Sequence, residues 1–205
     1  MKSSRLFSLL LGWALAAGVW GHAQQPPEHA PGASSNAAPE SPAKPEDERD
    51  FALTFSRAAG SPGSEIALPV YFTRRPGAAN VAKVRVRLTY AGEGVSFKNA
   101  EDAYLSRRAG IEIQAKEEKA SGGQSVLDVT FTLPNPSEKN FPSGQVAYLH
   151  FTVSSDATNA TIPLRPELWI DDQAITADSP VARAEEGRLI VTTKPIFVGC
   201  FIFSH

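Results

Sequence analysis

The sequence predicts an all-β fold, a sandwich or jelly roll of about nine short strands in two packed antiparallel sheets over residues 51–192. Apolar and polar residues alternate with period two in successive short segments, and turn residues separate these segments. No repeated strand–helix–strand unit is present, which disfavours a parallel sheet. Eleven Phe against one Met, among many Val and Thr, also favours strands.

The first residues predict a signal peptide over residues 1–23. Lys2 and Arg5 give a positive start, and residues 6–20 form an apolar run that is short for a bilayer helix. Small residues precede the expected cleavage point after Ala23. We therefore expect a secreted protein, located outside the cell, in the periplasm or at the cell surface. An N-terminal anchor that is not cleaved is the alternative.

Residues 24–50 are rich in Pro, Ala, Ser and Glu and contain no large apolar residue. Such a segment cannot bury enough surface to offset the entropy of ordering it. We expect an extended, disordered linker, either a plain spacer or a stalk that holds the following domain away from a surface.

Nine segments in the next part of the chain have the pattern of strands, and one has the pattern of a short helix. Pro69 lies inside the second strand and cannot donate a ladder hydrogen bond, so we expect that strand at a sheet edge or broken by a bulge. Residues 99–108 predict one or two helical turns, with Asn99 as N-cap and Gly110 as the stop. The strand segments are residues 51–55, 66–72, 83–90, 95–97, 111–113, 125–133, 145–153, 162–170 and 188–191.

The alternation also predicts which side chains face inward. One strand is especially clear, because four apolar residues alternate with basic residues and a threonine between residues 83 and 90. The residues that we expect to be buried are Leu68, Val70, Val86, Leu88, Val129, Phe131, Leu149 and Phe151.

Four stretches, in order, resemble the cohesin family. They cover a turn and the strand after it, a strand ending in Tyr, a Gly-led strand and a final Gly-led strand that ends in Ile-Val. The stretches are GSPGSEIALPVYF (60–72), KVRVRLTYAGEGVSF (83–97), SGQVAYLHFTV (143–153) and GRLIV (187–191). The resemblance implies a nine-stranded jelly-roll sandwich that binds another protein on one sheet face. In cellulosomes that partner is a dockerin, a small calcium-loaded helical module, and some carbohydrate-binding modules have a similar fold.

No constellation for catalysis is visible. A Ser or Cys nucleophile needs a convergent His, and His29, His150 and His205 lie in the linker, in a strand facing away from the core and at the chain end. The acidic doublets at residues 171–172 and 185–186 fall in turns, where we expect solvated side chains rather than a pair for glycoside hydrolysis. We expect no enzyme activity, no cofactor and no metal. A net charge of -2 without a basic run excludes a nucleic-acid partner.

Two features are candidates for binding. Lys83, Arg85 and Arg87 form a basic stripe on the outward face of the clearest strand, which could contact an acidic extracellular protein or could be a plain solvated face. Trp169 is the only Trp after the predicted signal peptide, and core packing is the favoured interpretation. If it instead stacks on a sugar ring, the chain is a carbohydrate-binding module, the alternative to a protein-recognition module.

The tail at residues 193–205 carries a nearly continuous apolar run over residues 196–203 that includes Cys200, the single cysteine of the chain. One cysteine cannot form an intrachain disulfide. We expect either an additional strand or groove-packed segment, or an exposed end that is recognised or modified through Cys200.

Overall fold

The computed structural model describes residues 49–194. The predicted signal peptide, all but the last two residues of the predicted linker, and the apolar run of the tail lie outside the described residues. No helix in the described part of the chain has the length and apolar character needed to cross a membrane.

The described residues form twelve strands, one short α-helix and one 3-10 turn at Ser121–Gly123. All nine predicted strands are present, with three short strands added at residues 57–60, 173–175 and 182–185. The elements are β1 (Phe51–Phe55), β2 (Arg57–Gly60), β3 (Glu65–Arg74), β4 (Lys83–Ala91), β5 (Val95–Asp102), α1 (Tyr104–Ala109), β6 (Glu112–Lys119), β7 (Gln124–Thr132), β8 (Gly144–Val153), β9 (Ala160–Ile170), β10 (Gln173–Ile175), β11 (Ala182–Glu185) and β12 (Gly187–Val191).

The strands form two sheets, which confirms the all-β prediction. The smaller sheet has five strands in the order β11-β1-β3-β8-β5. The larger has seven, in the order β2-β12-β9-β4-β7-β6 with β10 paired to β9. The expectation of purely antiparallel sheets was wrong, because β1 pairs in parallel with β11 and β2 pairs in parallel with β12. The first and last strand segments run side by side in the same direction, once in each sheet.

The strand that contains Pro69, β3, lies inside the smaller sheet, since it pairs with both β1 and β8. Of the two alternatives predicted for this strand, a sheet edge or a bulge, the second is present, as a register shift between Val70 and Tyr71. The β1–β3 ladder ends at the Phe55–Val70 pair, and the N–H of Ser56 donates to the carbonyl of Pro69. The chain then crosses to the larger sheet as β2, so Pro69 lies where its neighbour strand has left and a donor is not needed.

The core lies between the two sheets, and all eight side chains predicted to be buried are at most 1% exposed. Aromatic rings from both sheets meet there at centroid distances typical of favourable ring pairs. Tyr90 of the larger sheet packs edge-on against Phe151 of the smaller one at 5.7 Å. Phe72 contacts Phe141, from the loop before β8, at 4.8 Å.

The helix is shorter and starts later than predicted. Asn99 belongs to β5, which pairs with β8 up to Asp102, so the sheet overrides the local helix signal. The helix begins at Tyr104 with Ala103 as N-cap, while Gly110 ends it as predicted, at φ 79°.

Glu117 closes one open side of the sandwich. Its side chain on β6 points inward, where it accepts hydrogen bonds from the Tyr90 hydroxyl and, at 3.4 Å, from the N–H of Phe97 on the other sheet. Burial, aided by the bond to Glu117, raises the pKa of Tyr90 well above its ordinary value. Partial burial opposes ionisation of Glu117, but the hydrogen bonds from Tyr90 and Phe97 and the ammonium of Lys119 outweigh it and lower the pKa of Glu117.

Candidate functional site

The predicted basic stripe lies on the outer face of the larger sheet. In β4 the apolar side chains between Val84 and Tyr90 are buried, and Lys83, Arg85 and Arg87 alternate with them on the outside. Because β4 is paired with β7 on one side and β9 on the other, the stripe lies in the interior of the sheet face rather than at its edge.

The two arginines of the stripe are held by one carboxylate. Asp128 is the cross-strand partner of Arg87 in β7 and faces the same way. Arg85 donates from Nε and Nη2 to Asp128 Oδ1 at 3.2 and 2.9 Å. Arg87 donates from its own Nε and Nη2 to Asp128 Oδ2, each at 3.3 Å. The three side chains are between 30% and 38% exposed. This half-covered position and the shared carboxylate fix both guanidinium groups and neutralise part of their charge.

Trp169 completes this cluster and is not part of the core, so the favoured interpretation from the sequence was wrong. It is the cross-strand partner of Arg85 in β9, half-buried on the outer face, while its neighbours Leu168 and Ile170 point into the core. The guanidinium carbon of Arg85 lies 4.9 Å from the ring centroid and that of Arg87 lies 5.7 Å from it, within cation–π range. The strict alternation of β9 is the sequence signal that would have placed Trp169 outside.

Lys83 is tied to the end of the same sheet by the acidic doublet. Its ammonium is 2.7 Å from Asp172 Oδ1, and Asp171 Oδ1 accepts the backbone N–H groups of Ala82 and Lys83. Asp171 and Asp172 have φ values of 47° and 65° and form the two-residue turn between β9 and β10. The doublet is thus a turn, as predicted, and it anchors the start of β4. No group of His, Cys, Asp and Glu suited to a metal ion occurs among residues 49–194.

Three further arginines lie on the same outer face, and sequence reasoning missed them. Arg57, Arg165 and Arg188 are exposed and belong to β2, β9 and β12. These strands come from distant parts of the chain, and only the sheet order brings them next to the stripe. No local pattern in the sequence indicates this juxtaposition.

A cavity of about 530 Å³ adjoins the face beside Trp169. Ile175 and Leu168 give it an apolar wall, and Arg183 and Glu167 add charge. Its lining within the described part of the chain includes no Ser, Cys or His.

The outer face of the smaller sheet has a different character. His150 faces outward there as predicted, with Nδ1 2.7 Å from Glu65 and Nε2 3.3 Å from Glu101, and its side chain is 16% exposed. The ammonium of Lys98 is the largest influence on Glu65, and together with His150 it lowers the pKa of that carboxyl despite some desolvation. The charges around His150 are thus paired with one another on this sheet.

Comparison with solved structures shows that the chain has the cohesin fold. It matches the cohesin CaCohA2 of Clostridium acetobutylicum at a TM-score of 0.53 and 20% identity, over 72% of this chain and 94% of that one. The seventh ScaB type I cohesin of Pseudobacteroides cellulosolvens matches at 0.52 and 16%, over 74% and 98%. A Clostridium thermocellum structure, a type I cohesin–dockerin complex of OlpA, matches at 0.54 and 12%, over 70% and 100%.

These structural matches establish the fold, as the resemblance in the sequence predicted. No protein-family model matches the chain, and no curated protein matches it.

Proposed function

We propose that the chain is a secreted, non-catalytic binding module that recognises a protein partner, dockerin-like in its role, on the outer face of the larger sheet. One observation carries the proposal. Trp169, Arg85 and Arg87 form a preorganised cluster on a sheet face, held in place by Asp128. Trp and Arg are the residues that most often dominate binding energy in protein interfaces.

Preorganisation is the physical reason that this cluster suits a partner. Long side chains usually lose rotamer freedom on binding, which costs about 0.5–1.5 kcal/mol for each one immobilised. Arg85 and Arg87 are already fixed by Asp128 and by the ring of Trp169. A partner that covers them therefore loses less binding free energy to the ordering of these side chains, because they are already ordered in the folded domain.

The fold supports the same proposal. In the Clostridium thermocellum OlpA complex a protein of this fold binds a dockerin. The predicted signal peptide and linker support an extracellular role, and the resemblance to cohesins supports a place in polysaccharide degradation; both belong to the proposal.

Carbohydrate binding is the second candidate, and a different surface favours it. Two guanidinium groups already lie against the ring of Trp169, which leaves it poorly suited to stack on a sugar. Tyr71 and Tyr104 are instead 37% and 70% exposed, on β3 and α1 beside the smaller sheet. Exposed aromatic rings of this kind can stack on pyranose rings.

The test uses the full mature chain as bait. Proteins captured from the extracellular fraction of the source organism are identified by mass spectrometry, and the purified partner is titrated against wild type, Trp169→Ala and Tyr104→Ala. We expect Trp169→Ala to weaken binding about tenfold or more, since interface Trp truncations commonly exceed 1–2 kcal/mol. Tyr104→Ala should leave protein binding unchanged.

A polysaccharide affinity gel is run with the same three proteins. Retardation that is lost in Tyr104→Ala and kept in Trp169→Ala would replace the protein-binding proposal with the carbohydrate one. Reversal of Lys83, Arg85 and Arg87 to Glu should abolish protein capture. Because those reversals place new carboxylates beside Asp128, each variant is also checked by thermal unfolding.

A further inference from the structure

The cations of the predicted stripe are all paired, whereas two of the three arginines in a second basic group on the same face have no carboxylate partner within the described residues. Lys83 has Asp172, and Arg85 and Arg87 share Asp128. By contrast, neither Arg57 nor Arg165 has a carboxylate within ion-pair distance among residues 49–194. Arg188 has only an exposed contact, with Nε 3.6 Å from Glu186 Oε1.

The sheet places these three arginines close together. Arg57 and Arg188 are direct cross-strand partners in the parallel pair of β2 and β12, where adjacent strands are about 4.8 Å apart. Arg165 lies two residues along β9 from Pro163, the partner of Arg188, which is the diagonal position at about 7–8 Å. All three side chains are exposed on the outer face.

Such an arrangement opposes folding. Like charges directly across from each other in a sheet destabilise it, and here the Arg57–Arg188 pair repels while Arg165 adds a third positive charge nearby. An anionic partner would remove this repulsion on binding, so the three arginines favour a complex with a negatively charged surface.

The surface beside Arg165 has the shape to receive a side chain. A depression of about 130 Å³ is lined by Arg165, Thr89, Gln124 and Pro163, among others. That is about the liquid volume of four waters, enough for the end of one side chain. A hydroxyl, an amide and a guanidinium on its wall are donors for a carboxylate.

We propose that Arg57, Arg165 and Arg188, the arginine triad, bind an acidic segment of the protein partner, with one Asp or Glu side chain seated in the depression at Arg165. This inference rests on the proposed function and names the chemistry of the partner. Guanidinium groups pair with carboxylates in a planar, two-bond geometry, which suits spaced acidic side chains.

The neighbouring carboxylates argue for a protein rather than a continuous polyanion. Glu167 lies two residues from Arg165 on β9, and Asp128 lies on β7, on the side of β4 that faces away from β9. A nucleic acid or an acidic polysaccharide carries charge at every unit and would meet both of them. Acidic residues spaced along a protein segment can contact the triad and avoid them.

The experiment titrates the full mature chain at about 0.15 M salt, where screening extends to about 8 Å, so that only charges close to the triad matter. The probes are a peptide of alternating Glu and Ser, its Gln–Ser counterpart and polygalacturonate. Binding of each probe is measured from the shifts of the backbone amide NMR signals of the protein. The variants are Arg57→Gln/Arg165→Gln/Arg188→Gln and a matched control, Arg74→Gln/Arg108→Gln/Lys139→Gln. The control removes the same charge around α1 and the adjoining loop, away from the larger sheet.

We expect the Glu–Ser peptide to shift amide signals around the arginine triad and the Gln–Ser peptide to leave them unchanged. The triad variant should bind the Glu–Ser peptide about tenfold more weakly, and the control variant should bind it as wild type does. Equal loss in both variants, no shift in wild type, or tighter binding of polygalacturonate at the same arginines would overturn the proposal. In the partner titration, the triad variant is measured beside Trp169→Ala. Loss only with Trp169→Ala refutes this inference and leaves the proposed function intact, whereas no loss with either removes both.

Discussion

Replacing Glu117 by alanine should destabilise the domain although the side chain lies at the open side of the sandwich. Glu117 is 16% exposed at its side chain and accepts from the Tyr90 hydroxyl and the Phe97 N–H. Tyr90 itself is 2% exposed. The substitution therefore leaves the buried Tyr90 hydroxyl without its acceptor. It also removes the hydrogen bond that joins Glu117 of the larger sheet to Phe97 of the smaller one.

The loss of stability depends on which of the two hydrogen-bonding partners is removed. A buried donor left unsatisfied costs about 1–3 kcal/mol, and the weaker bond from Phe97 adds to this, so we expect a loss of about 2–4 kcal/mol. Tyr90→Phe removes the donor instead, and Glu117 stays partly hydrated near Lys119, so its cost should be about 0.5–1.5 kcal/mol. When both are replaced, the buried hydroxyl is gone and only the Phe97 N–H has lost its acceptor, so the double variant should be more stable than Glu117→Ala alone.

The assay is urea unfolding of wild type, both single variants and the double variant, followed by fluorescence and circular dichroism. Glu118→Ala is the control, because Glu118 is the next residue, points outward and pairs only with exposed Lys116. Its stability should match wild type. A cost of Glu117→Ala below about 0.5 kcal/mol, or a double variant less stable than Glu117→Ala by the full Tyr90→Phe cost, would refute the reasoning.

The same pair sets a pH window. The pKa of Glu117 is lowered from its ordinary 4.5, so its contribution is present above that pH and is lost as the pH falls through the lowered value. The pKa of Tyr90 is raised from its ordinary 10.0, so its contribution is present below that pH and is lost at more alkaline pH. The free energy of unfolding of Tyr90→Phe, measured as a function of pH, should not show this loss at alkaline pH.

Three further predictions concern the core, a glycine and the candidate cluster. Phe131→Ala should cost about 3–5 kcal/mol in denaturant unfolding, since Phe131 is 1% exposed; a cost below about 1 kcal/mol would contradict its place in the core. Gly187→Ala should cost about 1–3 kcal/mol, because the new Cβ would lie 2.4 Å from the Cβ of Phe55, which cannot move without its backbone; an unchanged melting temperature would argue against that contact. Asp128→Asn should release two arginines from Trp169 and shift its emission with little loss of stability, and an unchanged spectrum would mean that Asp128 does not hold the cluster.

Much of the fold could be predicted because the information is local. A half-buried strand shows its inward face as every second residue, so the sequence alone placed Val86, Leu88 and Phe131 in the core. The same alternation placed Lys83 and its neighbours outside. Where a local signal competed with pairing, pairing prevailed, as at Asn99, which joins β5 instead of starting a helix.

The candidate site was only half visible. Alternation indicated the stripe on one strand, but the partners of that stripe lie far away in sequence, Asp128 on β7 and Trp169 on β9. A strand pattern tells which residues share a face and says nothing about which strand lies beside it. The functional cluster is a property of adjacent strands, so it appears only once the sheet order is known.

By itself the sequence determined the all-β class, the strand segments and the inward side of the best strands, because period-two patterning is written in consecutive residues. Only the tertiary structure decided that β1 and β2 belong to different sheets, that Pro69 lies where its neighbour leaves, and that Arg57, Arg165 and Arg188 come together. These features depend on which distant strands pair. Pairing is chosen by burying both sheet faces at once, a property of the whole chain and not of any one segment.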